Sequence, residues 1–180
     1  MIPSPYNFEP ALTDAEYTKL GVLALRWSHI EHILGNCLKV ILRLTDDEAV
    51  IVVFSLSADQ RAEKIQQLSK LSEMPAPAKK AFEELRPILK GIQYVRNNVV
   101  HSIAGEYEGD DFAFHLRSKK RSLTKAQVFS TEELTNYAAH LVIAFRYGLG
   151  FKDGAPPAEY ACPERSEIPK FLRQVIHFKQ

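Results

Sequence analysis

Apolar residues recur at steps of three and four along most of the chain, which is the spacing of one buried face of an α-helix. The pattern breaks where proline, glycine and small polar residues cluster. Three of the resulting segments open with a Thr/Ser-x-x-Glu sequence, the signature of a helix N-terminal capping box. The pattern therefore predicts helices over residues 13–44, 45–56, 57–73, 78–103 and 130–149.

The sequence pattern does not decide the local structure of two of these segments. Residues 49–54 are mostly β-branched and could form a strand by propensity, but the acidic cap from Thr45 to Glu48 favours a short buried helix. Pro87 lies inside the fourth segment and lacks an amide proton. We expect it to kink that helix or to divide it in two.

Alternating apolar and polar residues follow the fourth segment. Residues 106–108 and 112–116 alternate on either side of Gly109 to Asp111, which predicts two strands joined by a hairpin turn. Helices with one apolar face bury it most simply against each other. The predicted fold class is all-α: an antiparallel bundle of four to five helices with a small β-hairpin insertion after the fourth helix.

The distribution of prolines divides the chain into three parts. Residues 1–12 hold three prolines and predict an extended arm, and residues 13–150 form the helical domain. Residues 151–180 hold four prolines, which predicts a tail packed on the domain with at most one short helix near Lys170–His177.

Composition and charge narrow the class of protein. The chain has 180 residues, 46% of them apolar, which suits one globular domain. A net charge of +1 gives no global basic field, although a local patch could still bind a polyanion. The N-terminus lacks the pattern of a signal peptide, and the longest apolar run, Ala49–Phe54, is too short to span a bilayer. We expect a cytoplasmic protein with no membrane partner.

Cysteine and histidine give no sign of a cofactor or a metal. Cys37 and Cys162 have neither the number nor the spacing of a metal cluster or a disulfide framework. His29 and His32 are three residues apart and could bind a metal, but no third ligand follows at helical spacing. We therefore predict no cofactor and no metal ion.

The most informative segment is the run from Arg96 to His101 at the C-terminal end of the fourth helix, called the motif below. Arg96 stays cationic, and its planar fork can donate two hydrogen bonds to a phosphate. His101 can move protons near neutrality as a general acid or base. Asn97 offers an amide that could orient His101 or a phosphate oxygen. These groups suffice, in principle, to cut RNA without a metal.

Other interpretations of the motif remain open. An Arg followed at this distance by a His is expected about once by chance in such a composition. The run from Arg26 to His32 is a second match with looser spacing. Arg96 could pair with a buried acid, and His101 could simply cap the helix C-terminus, where the helix dipole favours a cation.

Glu31 lies inside the apolar stripe of the first predicted helix, between Trp27 and Leu34. A buried carboxylate needs a partner, because an isolated buried charge is very costly. Arg96 and Arg61 are the candidate partners. The alternative is that Glu31 lies at the edge of the stripe and reaches solvent.

One basic run, over residues 117–125, follows the predicted hairpin strands and contains five cations and no acid. If this run lies beside the motif, its cations could bind successive phosphates of an RNA backbone. The alternative is a solvated arm neutralised by the acids between residues 106 and 111. The candidate RNA-binding residues in this run are Arg117, Lys119, Lys120 and Arg121.

The motif resembles the R-N-x-x-x-H signature of HEPN domains, an all-helical family rich in metal-independent ribonucleases and toxin components. Helix order, a motif at a helix end and a small insertion after it extend the resemblance from Leu12 to about Phe151. The Trp27-x-x-x-Glu31 pattern is also similar to the first helix of several HEPN-like proteins, which supports a Glu31 that faces the motif.

The resemblance implies a homodimer in which two motifs face one cleft, and an endoribonuclease that leaves 2′,3′-cyclic phosphate ends. It further implies a toxin or a phage-defence protein, with RNA as substrate and a cognate antitoxin or inhibitor as partner. Ile103 stands where one toxin subgroup has tyrosine, so the match to that subgroup is incomplete. A non-catalytic RNA- or nucleotide-binding module and a structural protein with a helix-end ion pair are the other functions considered.

Overall fold

The computed structural model of the chain describes residues 12–71, 74–101, 103–105, 113–115 and 122–150. Helices make up most of this part, in the predicted order, so the all-helical class is confirmed. Their bounds are α1 Asp14–Leu42, α2 Asp46–Val52, α3 Ala58–Leu71, α4 Ala76–His101 and α5 Lys125–Gly148. The predicted arm up to residue 11 and the tail over 151–180 lie outside the described residues.

Capping boxes open α1 and α2 at the two threonines that the sequence pattern indicates. The Thr13 amide donates to Glu16 Oε2 at 2.7 Å, and the Glu16 amide donates to the Thr13 hydroxyl at 3.3 Å. Thr45 and Glu48 repeat the arrangement at 2.8 and 3.3 Å. Each box satisfies amides that have no partner within the helix, and both predicted helix starts are confirmed.

α5 begins earlier than predicted. The sequence pattern predicts a cap at Ser130, but Thr124 is the N-cap, and its hydroxyl accepts from the Gln127 amide at 3.2 Å. The prediction was wrong because the Ser130 and Thr131 hydroxyls donate to the Gln127 carbonyl inside the helix, at 3.0 and 2.9 Å. Ser and Thr can bond back to an earlier carbonyl in this way without ending a helix.

α4 passes through Pro87 without interruption, so of the two predicted outcomes, a kink or a division of the helix, the division does not occur. Pro87 is exposed, as is Glu83, whose carbonyl would otherwise accept from the amide of residue 87. Water can hydrogen-bond that carbonyl on the exposed side of the helix, which lowers the cost of the missing amide.

α2 is a helix, as the acidic cap favours, but most of its apolar surface is not buried. Ala49 and Val53 are fully buried, whereas Val50, Ile51 and Val52 are 62%, 76% and 50% exposed. The expectation of a buried helix was wrong because only one side of this seven-residue helix packs inward. The opposite side, which is equally apolar, faces outward.

Three short strands connect α4 to α5 and pair antiparallel in the order β1-β2-β3. Their bounds are β1 Ile103–Gly105, β2 Ala113–His115 and β3 Ser122–Thr124. The predicted two-stranded hairpin is not supported, because the described residues form a three-stranded sheet instead. The strand predicted over 106–108 and the turn predicted at 109–111 lie outside the described residues. β3 runs directly into α5, so the chain leaves the motif and reaches the N-cap of α5 through this sheet.

α1 and α5 run side by side in the same direction, so the prediction of an antiparallel bundle is wrong for this pair of helices. Near the beginning of both helices, Lys125 Nζ lies 3.0 Å from Glu16 Oε1. Near their ends, the charge of Arg146 acts on the thiol of Cys37. The first turns of α1 and α5 therefore lie together at one end of the bundle, and their last turns lie together at the other.

α4 packs against α5 in the opposite direction. The Phe82 ring near the beginning of α4 lies 5.1 Å from the Phe145 ring near the end of α5. Gly148 permits this approach, because a Cβ there would come 2.6 Å from the Ala78 nitrogen. The motif therefore lies beside the beginnings of α1 and α5. The largest fully buried side chains of the core are Phe145, Ile30, Leu34, Leu38, Ile65, Leu85, Ile92, Leu134, Leu141 and Val53.

Arg61 joins α1, α2 and α3 from within the core. It is 7% exposed and donates to the carbonyls of Val53 at 3.1 Å, Phe54 at 3.0 Å and Glu31 at 2.6 Å. Its guanidinium also lies 5.5 Å from the centre of the Phe54 ring. Three charge-assisted hydrogen bonds offset the cost of burying this cation, so its role is structural.

Gly35 and Gly21 of α1 offer a matched test of the packing around Arg61. A Cβ at Gly35 would come 2.8 Å from Cε1 of Phe54, whereas one at Gly21 would meet nothing within 4 Å. We expect Gly21→Ala to raise the free energy of unfolding by up to about 1 kcal/mol, because alanine favours the helix. Gly35→Ala should lower it by about 1–3 kcal/mol through overpacking of the Phe54 ring. Urea unfolding measures both, and equal stabilisation would contradict this packing.

Glu16 gives the motif end of the bundle a pH-dependent contribution to stability. Hydrogen bonds from the Thr13 backbone and then from the Lys125 side chain lower the pKa of Glu16 from its usual 4.5. Because the folded-state pKa is lowered, this contribution is complete above the usual value and is lost as pH falls through the lowered one. We expect Lys125→Met to bring the pKa of Glu16 closer to 4.5. A carboxyl-carbon NMR titration of Glu16 measures it, and an unchanged pKa would disprove the contribution of Lys125.

Candidate functional site

A second apolar cluster, separate from the main core, holds the last turns of α4. Val95 is buried in it with Leu123 of β3 and Val128 of α5, and Tyr94 and Val99 pack against it. Because these side chains come from three elements, the backbone of the motif is fixed relative to the beginning of α5.

Arg96 lies on the same face of α4 as the buried apolar residues. It continues the buried positions Leu85, Leu89 and Ile92 at steps of three and four residues. Arg96 itself is half-buried, and its Nη1 donates to Asn97 Oδ1 at 3.0 Å. A cation in such a position needs compensation, because burial disfavours a charge that is not paired.

No carboxylate provides this compensation within the described part of the chain. Neither of the ion pairs found there includes Arg96, and its partner is the neutral amide of Asn97. That amide occupies one of the five N–H donors of the guanidinium. The donors that remain could bind an anion in bidentate geometry.

Asn97 connects Arg96 to the side of α4 on which position 101 lies. Positions 97 and 101 are four residues apart and therefore about 40° apart around the helix, whereas positions 96 and 101 are about 140° apart. His101 is the last residue of α4, and its side chain lies outside the described part of the structure. One chain thus presents Arg96 and position 101 on different sides of α4, with Asn97 between them.

The structure places Glu31 beside Arg61. The Glu31 carbonyl accepts from Arg61 Nη1 at 2.6 Å. Burial lowers the pKa of Arg61, and the charge of the half-buried Glu31 opposes that effect. Of the two arginines expected as partners of Glu31, Arg61 is the one that interacts with it among the described residues, whereas Arg96 bonds to Asn97.

Asn98 has a property that the sequence pattern does not reveal. Its side-chain nitrogen Nδ2 is buried and has no hydrogen-bond partner among the described residues. An unpaired buried donor costs about 1–3 kcal/mol, and such groups are unusual in folded proteins. The pair of consecutive asparagines is the only signal in the sequence that could have found this second polar group of the motif.

The basic run lies mostly outside the described residues, and its role in RNA binding stays a prediction. Lys125, the member that is described, pairs with Glu16 at 3.0 Å and thereby holds α5 against α1. The candidate residues outside the described part are Arg117, Lys119, Lys120 and Arg121.

The described residues contain no group of three or more His, Cys, Asp or Glu side chains that could hold a metal ion. His32 stacks on Phe54 with ring centres 5.9 Å apart, and its Nε2 lies 3.0 Å from Nδ2 of Asn36. Burial raises the pKa of the Cys37 thiol to about 12, so this thiol is protonated near neutrality and is not a nucleophile. None of the described helices is long and apolar enough to cross a membrane.

Comparison with known proteins assigns no family. The chain matches no protein-family model, no curated protein and no solved structure. The interpretation of the site therefore depends on its geometry and on the resemblance of the motif.

Substitutions at Arg61 and Arg96 can be compared directly, because the two guanidinium groups have different hydrogen-bond partners. We expect Arg61→Ala to lower the free energy of unfolding by about 3 kcal/mol or more, since it leaves buried carbonyls unpaired. Arg96→Ala should lower it by less than about 1 kcal/mol, because one bond to an amide is lost and a half-buried cation is removed. Urea unfolding followed by circular dichroism measures both changes. A loss at Arg96 that equals or exceeds the loss at Arg61 would show that Arg96 is structural.

Proposed function

We propose that this chain is a metal-independent endoribonuclease of the HEPN type in which Arg96 binds the scissile phosphate. The proposal depends on the environment of Arg96. This cation is half-buried on the buried face of α4, and its partner among the described residues is the neutral amide of Asn97. An RNA phosphate would provide negative charge and two acceptors for the guanidinium. The resemblance of the motif to the R-N-x-x-x-H signature supports the same assignment.

Cleavage without a metal would occur by transfer within the RNA chain. His101 in its neutral form removes the proton of the ribose 2′-hydroxyl, and the 2′-oxygen attacks the adjacent phosphorus. Arg96 stabilises the charge that develops on the phosphoryl oxygens. The bond to the 5′-oxygen of the next nucleotide breaks, and an imidazolium protonates that oxygen. The products are a 2′,3′-cyclic phosphate and a 5′-hydroxyl.

This reaction needs two proton-transfer groups, a base and an acid, in one cleft. Arg96 and position 101 lie on different sides of α4, and one imidazole cannot act as base and acid in the same step. The proposal therefore includes a homodimer in which two motifs face one cleft. Val100, which is 57% exposed within the motif, offers apolar surface for such a contact.

The remaining parts of the proposal concern partners and role. A hairpin insertion after α4 would carry Arg117, Lys119, Lys120 and Arg121 along the RNA backbone, where cations displace condensed counterions. We propose that this nuclease acts in the cytoplasm as a toxin or in phage defence. A cognate antitoxin or another inhibitor would bind it and block its activity. The resemblance of the motif is the sole support for this role.

The second candidate function is binding of RNA or a nucleotide without cleavage. The same guanidinium would bind a phosphate, and position 101 is the last of α4, where the helix dipole favours a cation. A purely structural motif is the least favoured, because the described partner of Arg96 is an amide rather than a carboxylate.

The test is incubation of the purified chain with a mixed RNA pool in EDTA, with the product ends mapped. We expect fragments that end in 2′,3′-cyclic phosphate. His101→Ala should reduce their rate by about 100-fold or more while RNA binding persists, because the proton-transfer group is lost. Arg96→Ala should weaken both binding and cleavage. Lys90→Ala and His29→Ala, exposed residues of α4 and α1, are the matched controls and should cleave like the wild type.

Each alternative has its own result. Undiminished cleavage by His101→Ala would refute the catalytic assignment. RNA binding that depends on Arg96 without any cleavage by the wild type would favour the binding module. Neither binding nor cleavage by the wild type, together with a large loss of stability in Arg96→Ala, would favour a structural motif.

A further inference from the structure

The outward side of α2 is an exposed apolar surface, called the α2 face below and formed by Val50, Ile51 and Val52. These side chains are 62%, 76% and 50% exposed. Three consecutive β-branched residues on a surface are unusual, and they continue into Val53 and Phe54 as a run of high β-propensity. Such a run is an aggregation hazard when it is left uncovered, so a covering partner is expected.

The α2 face lies at the end of the bundle where α5 ends. α2 follows α1 after a connection of three residues, and the last turns of α1 and α5 lie together. The chain after Gly150 therefore leaves the described structure at the same end as α2. Ile168 follows Gly150 by 18 residues, and a chain of that length can span up to about 60 Å. The last part of the tail can reach the α2 face.

The sequence of that last part suits the α2 face in its apolar spacing. Ile168, Phe171, Leu172 and Val175 recur at steps of three and four residues, which is the spacing of one helical face. An apolar stripe on a segment of this length needs a surface to cover it.

The charges are complementary as well. After Glu167 the chain contains Lys170, Arg173 and Lys179 and no acidic residue. The first turn of α2 holds Asp46, Asp47 and Glu48, all exposed; Asp46 pairs with Lys39 of α1, which leaves Asp47 and Glu48 to attract a basic segment. Hydrogen bonds from Thr45 lower the pKa of Glu48, which keeps that carboxylate ionised in weak acid. The acidic beginning of α2 would thus meet a basic segment.

We propose that residues 168–178 dock on the α2 face, with their apolar residues on Val50, Ile51 and Val52 and their cations near the acidic first turn of α2. This contact lies at the end of the bundle opposite to the motif. This inference does not depend on the nuclease proposal.

Hydrogen exchange of the intact chain, followed by mass spectrometry, tests this docking. We expect the amides of residues 168–178 to exchange at least about 10-fold more slowly than an unstructured peptide of the same sequence. Ile51→Asp should abolish this protection, because it places a charge in the contact. Leu25→Asp, which alters an apolar side chain of α1 that is 66% exposed, is the matched control and should keep it. The reciprocal variant Phe171→Asp should lose the protection and also speed exchange in α2.

Several results would overturn the proposal. Exchange of residues 168–178 at the unstructured rate in the wild type would show that the segment does not dock. Protection that survives Ile51→Asp would place the segment elsewhere. If Ile51→Asp instead converts a dimer to a monomer in sedimentation equilibrium and leaves the exchange of the tail unchanged, a second copy of the chain covers the α2 face.

Discussion

Burial of the apolar face of α4 against α5 sets the position of every described group in the candidate site. The face runs from Phe82 to Val95, and its side chains are almost fully buried. This burial fixes the rotation of α4 about its own axis, because a different rotation would expose the whole stripe. Arg96 continues the same stripe and is therefore held inward at the end of the bundle. Asn97, one position later, is turned toward the side of position 101 and accepts from the guanidinium.

The two arginines show how one chemical group can have different roles in one fold. Arg61 is enclosed by the end of α2 and by α1, and its N–H groups are directed at three backbone carbonyls. This guanidinium is buried and therefore inaccessible to a ligand, and its three hydrogen bonds stabilise the junction of three helices. Arg96 has one amide partner among the described residues. Its remaining donors are the basis for the proposal that an anion, and by extension RNA, binds at this end of the bundle.

Much of the fold could be predicted from the sequence, because many of its determinants are local. The capping boxes at Thr13 and Thr45 need only side chains three residues apart, and the buried stripe of α4 needs only helical periodicity. The start of α5 could not be found in this way, because Ser130 looks like a cap in sequence yet bonds back to Gln127 inside the helix. The exposure of Ile51 was equally inaccessible, since apolarity alone does not say which side of a short helix packs inward.

The candidate site was predictable in part. The inward position of Arg96 could be derived from its spacing to Leu89 and Ile92, whereas the choice of Arg61 as the partner of Glu31 depends on how α3 crosses α1. Sequence spacing carries no information on such a crossing. The resemblance of the motif contributed the chemistry of RNA cleavage, and the structure contributes the contrast between a buried arginine with three carbonyl acceptors and a half-buried one with a single amide partner.

In the proposed function, the Arg96 guanidinium binds an RNA phosphate and the Arg61 guanidinium does not. The most direct measurement is a titration of the intact, nitrogen-15-labelled chain with a 2′-O-methyl RNA oligonucleotide, which lacks the attacking hydroxyl, while the Nε–Hε signals of both arginines are followed by NMR. A saturable shift of the Arg96 signal with an unchanged Arg61 signal is the predicted result. An Arg96 signal that does not respond to RNA at any concentration would contradict the role proposed for Arg96.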